Sequence, residues 1–348
     1  MNKKEMVKTV LERGILIAPG MLDKLNEDTL KSIINEAEQN TQTALVVDSI
    51  PDSPPPTESP QPTTKPTKTE YVQNTHTEKP KHEPISITIR ELEQKNTLST
   101  EDFVGYYNNK HNTIRDMLLR KVNAVSINKT NNHGTVTIIG MVRELTQNGL
   151  IIEDATGHAE VFGGRDIIRD MNISEDDVLA ITGNMREGKV FLKEITLPDV
   201  PLTHPVGELD ATISFSERAP KTQDTDVVCT PDSINNNKNT ALPNPAWINI
   251  KKQGKSIKLL VYKPKKDATL SNAIESLKKR HLSPERSQIR GPDDPFLIDP
   301  IPDVFWFITK EKGHKAYKGV TIVSCGQSAV ARIALDTRKV EFIDNKQN

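Results

Sequence analysis

Apolar and polar positions alternate most regularly in the middle of the chain. Five strand-like runs follow one another there: TVTIIGMV at 135–142, GLIIED at 149–154, HAEVF at 158–162, DDVLAITGNM at 176–185 and KVFLKEITL at 189–197. Side chains of a strand point alternately to its two faces, so each run has one face that wants burial. Turns such as Gln147-Asn148-Gly149 and Arg186-Glu187-Gly188 separate the runs, and a short helical stretch, Arg165 to Met171, lies between the third and the fourth. Five short strands with one helix in that place predict a small β-barrel over 131–202 with the layout of an OB-fold.

The periodicity is different on either side. Met6, Val7, Val10 and Leu11, then Leu25, Leu30, Ile33, Ile34 and Ala37, lie at helical spacing around a break at Pro19-Gly20, predicting a helical unit over 1–42. Nine prolines between Pro51 and Pro84, mixed with Thr, Ser, Glu and Lys, leave little apolar surface to offset ordering entropy. Residues 43–85 are therefore expected to be a disordered linker. A helical lead-in is predicted over 86–130, opened by a cap at Ser99 to Asp102 and carrying Phe103, Tyr107, Ile114 and Leu118 as core.

Beyond the barrel, 203–240 is polar and poorly patterned. AWINI, SIKLLVY, DVFWFIT, GVTIVSC, ARIALD and KVEFID then read as strands, with a helix at Leu270, Ala273, Ile274 and Leu277. Trp247, Phe305, Trp306 and Phe307 read as core of a mostly buried sheet. The fold class predicted is α+β and multidomain.

Composition narrows the function classes. The 348 residues are 35% hydrophobic and 4% aromatic with a formal net charge of −1, so no global basic field points to nucleic acid. Cys229 and Cys325 have no ligand-like spacing, and no run of apolar residues is long enough for a membrane span. A cytoplasmic protein without membrane contact is expected. Any DNA contact has to be local, and the candidates are Arg143, Arg165 and Arg186 around the barrel with Phe162 and Phe191, and the run Lys278, Lys279, Arg280.

Four stretches carry a family resemblance: the barrel from VTIIGMVRELTQNG to FLKEITLPDVPL, NPAWINI with KLLVY, SLKKRHLSP with DPFLIDPIPDVF, and KAYKGVTIVSCGQ. In this order they resemble the small subunit of archaeal D-family DNA polymerase. That resemblance implies an OB-fold joined to a calcineurin-like phosphoesterase sheet, a large catalytic subunit as partner, and DNA reached through the complex. Active members look like 3′–5′ exonucleases using manganese or magnesium, whose two divalent cations need a set of carboxylates and histidines.

Against that template the ligands are missing. TISFSERAP at 212–220 has no Asp-x-His, Lys263 stands where a histidine is expected, and His314 has no histidine two residues away. The sequence therefore predicts no metal site and no cofactor, a remnant phosphoesterase-like domain over 203–348, and a non-catalytic scaffolding role in replication. Two alternatives stay open. One is an active manganese-dependent exonuclease built from Asp210, Asp224, Asp226, Asp232 and His314; the other is a free-standing single-strand-binding adaptor.

Overall fold

The computed structural model describes residues 16–17, 46–47, 84–92, 95, 97–130, 133–218, 225–236 and 238–344. The chain divides into two units, Met1–Thr77 and Glu78–Asn348. In the first, a two-residue strand β1 (Leu16–Ile17) pairs in parallel with β2 (Val46–Val47). Otherwise the helical unit expected over 1–42 and nearly all of the linker expected over 43–85 lie outside the described residues.

The second unit begins with a departure from the expected helical lead-in. Ser86–Ile89 is a strand, β3, which pairs antiparallel with a strand far along the chain, setting Ile87 opposite Ile250. Helix α1 (Thr100–Leu119) follows. Its Ser99 cap is reciprocal: the Ser99 hydroxyl accepts from the Asp102 backbone N–H, and the Asp102 carboxylate accepts from that of Ser99.

Next come β4 (His133–Thr146), β5 (Gly149–Asp154), β6 (Gly157–Phe162), helix α2 (Arg165–Asp170), β7 (Val178–Arg186) and β8 (Lys189–Thr196). They close into a barrel in the order β4-β5-β6-β8-β7, with β6 and β8 parallel and β7 returning to β4. The fourteen-residue β4 serves two neighbours, and a bulge between Val142 and Glu144 re-aims it from one to the other. Ile138, Leu150, Ile152, Val161, Ile181 and Val190 fill the interior. Closure brings backbones together at Gly140 and Gly183, where a Cβ would lie 2.5 Å from the Glu153 and Phe191 carbonyl oxygens respectively.

The remaining strands are β9 (Thr212–Phe215), β10 (Val227–Thr230), β11 (Ser233–Asn235), β12 (Asn239–Ala241), β13 (Ala246–Lys252), β14 (Lys255–Tyr262), β15 (Val304–Phe307), β16 (Lys312–Tyr317), β17 (Val320–Cys325), β18 (Ala329–Ala334) and β19 (Val340–Asp344). Helix α3 (Leu270–Lys279) lies between β14 and β15 in the chain. The strands form two six-stranded sheets, ordered β12-β11-β10-β9-β18-β19 and β16-β17-β15-β14-β13-β3. The polar stretch 203–240 thus supplies β9 to β12, which its weak patterning did not announce.

The inner strands β15 and β17 of the second sheet are buried on both faces, which explains their unbroken apolar runs. Val304 and Trp306 of β15 point into the space between the sheets, against Phe215, Leu259 and Ile333. Phe305 and Phe307 point the other way, into a layer with Leu270, Leu277 and Phe296. The four aromatics read as core are buried, Trp247 least completely at 6% exposed. Helix α1 wedges between sandwich and barrel: Tyr106 packs into the α3 layer, while Ile114 and Leu118 pack on Ile139, Met141 and Val178 of the barrel's outer wall. Each such buried side chain stabilises by about 1.5–3 kcal/mol.

Candidate functional site

The parallel strands β14, β15 and β17 end on one side of the sandwich, where the resemblance would place metal ligands. Lys263, just past β14, is held by its backbone: its N–H donates to Asn244 Oδ1 at 2.9 Å and its carbonyl accepts from Asn244 Nδ2 at 2.8 Å. Its side chain is exposed. Beyond β15, the Thr309 hydroxyl and the Ser324 hydroxyl pair at 3.1 Å, and the Thr309 N–H donates to Ser324 Oγ. These groups are neutral and satisfied by one another. His314 lies on β16 with its ring 6.2 Å from that of Phe342, and Asp226 accepts from the Thr212 N–H and hydroxyl. Asp224 lies outside the described residues. Among the described residues no three His, Cys, Asp or Glu side chains gather as a metal would require. This donor set does not fit a pair of hard divalent cations.

On the barrel the sequence candidates separate. Phe162 and Phe191, paired across β6 and β8, stand 6.1 Å apart at 34°, and Phe191 is 44% exposed. Lys189 Nζ lies 4.6 Å from the centre of the Phe162 ring, and the Arg186 guanidinium 6.0 Å from that of Phe191. Arg186 therefore joins an aromatic-cation patch of the kind that can stack a base. Arg165, at the start of α2, donates to Asn148 Oδ1 at 2.6 Å. Arg143 occupies the bulge of β4, exposed, with Glu153 at 3.9 Å.

The run at the end of α3 needs correction. Lys278 is exposed, but Lys279 and Arg280 are not surface cations. Lys279 is covered by the segment between α2 and β7, its ammonium 2.6 Å from Asp177 and donating to the Asn172 carbonyl at 2.7 Å. Arg280 takes a left-handed conformation (φ 54°) that turns its side chain inward, where Nε donates to the Ile298 carbonyl at 2.7 Å. As a DNA-contacting set the run is reduced to Lys278.

What Lys279 joins is a buried polar seam where α1, the barrel and the sandwich meet. His281 is 2% exposed; its Nδ1 accepts from the Ser283 N–H at 3.0 Å, so the ring proton sits on Nε2 and is donated to Asp294 Oδ2 at 2.9 Å. The Tyr106 hydroxyl lies 3.4 Å from the same nitrogen. Lys110 of α1 is 4% exposed and faces Asp294, Asp177 and Asp176. Burial pushes the Lys110 and His281 pKa values down, and the positive charge of Lys110 adds to the shift of His281. Burial likewise pushes the Tyr106 phenol up, with Asp294 adding to it. The hydrogen bonds of His281, Asp294, Lys279 and Asp177 in this seam tie one element to another.

A stability prediction follows from the neutral His281. The unfolded chain takes up its proton as pH falls through about 6.5. The folded chain does not until lower pH, because burial and the nearby Lys110 charge disfavour the imidazolium, and Nδ1 already accepts an N–H. Stability is thus complete above that value and is lost below it, by up to about 1.4 kcal/mol per pH unit. Urea midpoints at pH 7.5, 6.5 and 5.5 should fall, and His281→Asn should flatten the slope; an unchanged slope in the variant would contradict the assignment.

Sequence reading missed Lys110, His281, Asp294 and Asp177. Helical spacing gave no signal for Lys279 either: nine residues after Leu270 is half a turn away from the stripe of Leu270, Ala273 and Leu277.

Three comparisons bear on identity. No family model matches the chain. Over 110 residues it is 27% identical to the DNA polymerase II small subunit of Archaeoglobus fulgidus, a match covering 30% of this chain. The chain spans 22% of the length of that curated relative. Among solved structures, the hypothetical protein ygiW of E. coli aligns with a TM-score of 0.20 at 16% identity, covering 21% of this chain and 88% of that one. The S. pombe Stn1-Ten1 complex aligns with a TM-score of 0.19 at 20% identity, covering 22% and 76%.

Proposed function

We propose that this chain is a small, non-catalytic subunit of a replicative DNA polymerase of the archaeal D family, which binds and scaffolds the large catalytic subunit. The observation that carries the reading is the partial likeness to a DNA polymerase II small subunit. Two features support it. The strand order β4-β5-β6-β8-β7 with α2 between β6 and β7 suits an OB-fold, and the two-sheet sandwich with α3 on its outer face suits a phosphoesterase-like domain. Hydroxyls and an amide at the strand ends, where ligands would be needed, favour a binding role over the manganese-dependent exonuclease.

The test is co-expression with a D-family large subunit, followed by size-exclusion chromatography with mass determination. A stable one-to-one complex is expected. A chain that elutes alone beside a folded large subunit would sink the reading.

The Phe162–Phe191 patch with Lys189 and Arg186 favours a second reading, a single-strand-binding adaptor. Its mark is an affinity for single-stranded DNA that falls steeply with salt and is lost in Phe191→Ala.

A further inference from the structure

A cleft of about 440 Å³ opens where the C-terminal half of α1, the strand-to-strand segment after the barrel and the loop before β15 converge. That is within the range of small-ligand sites. Its charged lining is Arg120, Lys258, Arg280, Asp116 and Asp299. The two acids already have partners: Asp299 faces Arg280 at 3.4 Å, and Asp116 faces Arg115 at 3.7 Å. Arg120 and Lys258 are exposed, and neither side chain has an ion pair among the described residues. Arg120 also lies close enough to Arg280 for the two like charges to repel.

Arg280 makes this more than a chance gathering of surface cations. Its side chain is 6% exposed, and the left-handed backbone that aims it inward is a conformation usually given to Gly or Asn at a helix end. Nε and one Nη2 hydrogen are spent on the Ile298 carbonyl and Asp299. The rest of the guanidinium fork is left at the wall of the cleft, already oriented. A fixed fork with an unpaired guanidinium and an unpaired ammonium around one concavity matches a tetrahedral oxyanion, whose several oxygens can accept from all three.

We propose that this cleft is a phosphoryl-binding site, with Arg280 as its fixed base and Arg120 and Lys258 as its adjustable arms. The phosphoryl group comes either from a free phosphorylated small molecule or from the backbone of a nucleic-acid strand. The proposal stands apart from the polymerase-subunit reading, and its failure would leave the co-purification result untouched.

The test is calorimetric titration of the full chain with pyrophosphate, with ionic strength held constant by sodium chloride. Saturable binding is expected. Arg120→Ala and Lys258→Ala should each weaken it by about tenfold, the size of one lost charge-assisted hydrogen bond. Both positions are exposed, and unchanged circular dichroism and urea midpoints establish that the variants fold. Displacement of pyrophosphate by a short single-stranded oligodeoxynucleotide assigns the site to a strand's backbone; lack of displacement assigns it to a free small molecule. Absence of saturable heat, or folded variants that bind as the unaltered chain does, overturns the proposal.

Discussion

Asp177→Ala is expected to lower the stability of the protein by about 3–5 kcal/mol, the usual cost of removing one partner of a buried ion pair. Asp177 is 4% exposed and its carboxylate has three donors: the Ser174 N–H at 2.8 Å, the Ser174 hydroxyl at 3.0 Å and Lys279 Nζ at 2.6 Å. Truncation leaves the Lys279 ammonium buried with only the Asn172 carbonyl and the Ser174 hydroxyl. Because Asp177 immediately precedes β7 and Lys279 ends α3, the damage falls on the joint between barrel and sandwich. Urea unfolding followed by circular dichroism measures it. Asp177→Ala with Lys279→Met should recover a large part of the loss, since the uncompensated charge is gone. A single-variant cost below about 1 kcal/mol, the level of an exposed pair, would mean that the seam does not hold the two parts together.

Trp306→Ala should cost a similar amount, about 3–5 kcal/mol, for a different reason. Trp306 is fully buried in the middle of its sheet, β15 being flanked by β14 and β17, and its ring centre is 4.9 Å from that of Phe215 on the facing sheet. The strands around it cannot move together to refill the space, so transfer and cavity costs add. The same truncation at Phe191, 44% exposed on the barrel, should change stability by less than about 0.5 kcal/mol. Equal urea midpoints for the two variants would contradict the placement of Trp306 between the sheets. Since a domain of this kind has only about 5–15 kcal/mol in hand, Trp306→Ala alone brings the sandwich near its threshold.

The barrel and the apolar strands of the sandwich were legible in the sequence because burial imposed a pattern on them. VFWF in β15 is apolar throughout because both of its faces are covered, and TVTIIGMV runs apolar where β4 is lined inside by core and outside by α1. Four features were not legible. β11 and β12 are three-residue strands in an Asn-rich stretch, and β12 is an exposed edge. β16, KGHKAY, is an edge strand whose polar side chains face water, so its burial leaves no apolar trace. β3 does alternate, with Ile87 and Ile89 facing the core, but its partner lies some 160 residues on, beyond any local signal.

The fourth concerned the candidate site. Lys278, Lys279 and Arg280 look alike as letters, yet Lys278 faces water while Lys279 and Arg280 are buried. Charge composition cannot tell a solvated cation from a structural one. The distinction came from the segment between α2 and β7, whose Asp177, Asn172 and Ser174 receive Lys279, and from the inward turn that Arg280 makes after α3.

The sheet pairings also set the order in which a growing chain can be finished. Each barrel strand pairs within 133–196, so the barrel can close as soon as that stretch has left the ribosome. The sandwich must wait: β9 lies between β10 and β18, with Ile213 opposite Ile333, and β3 joins β13. At about 5–20 residues per second that delay is on the order of ten seconds. During it, β14 and β15 exist as apolar strands without the opposing sheet complete. High contact order of this kind slows folding and favours misassembly, so the nascent chain is most in need of chaperone cover late in its synthesis.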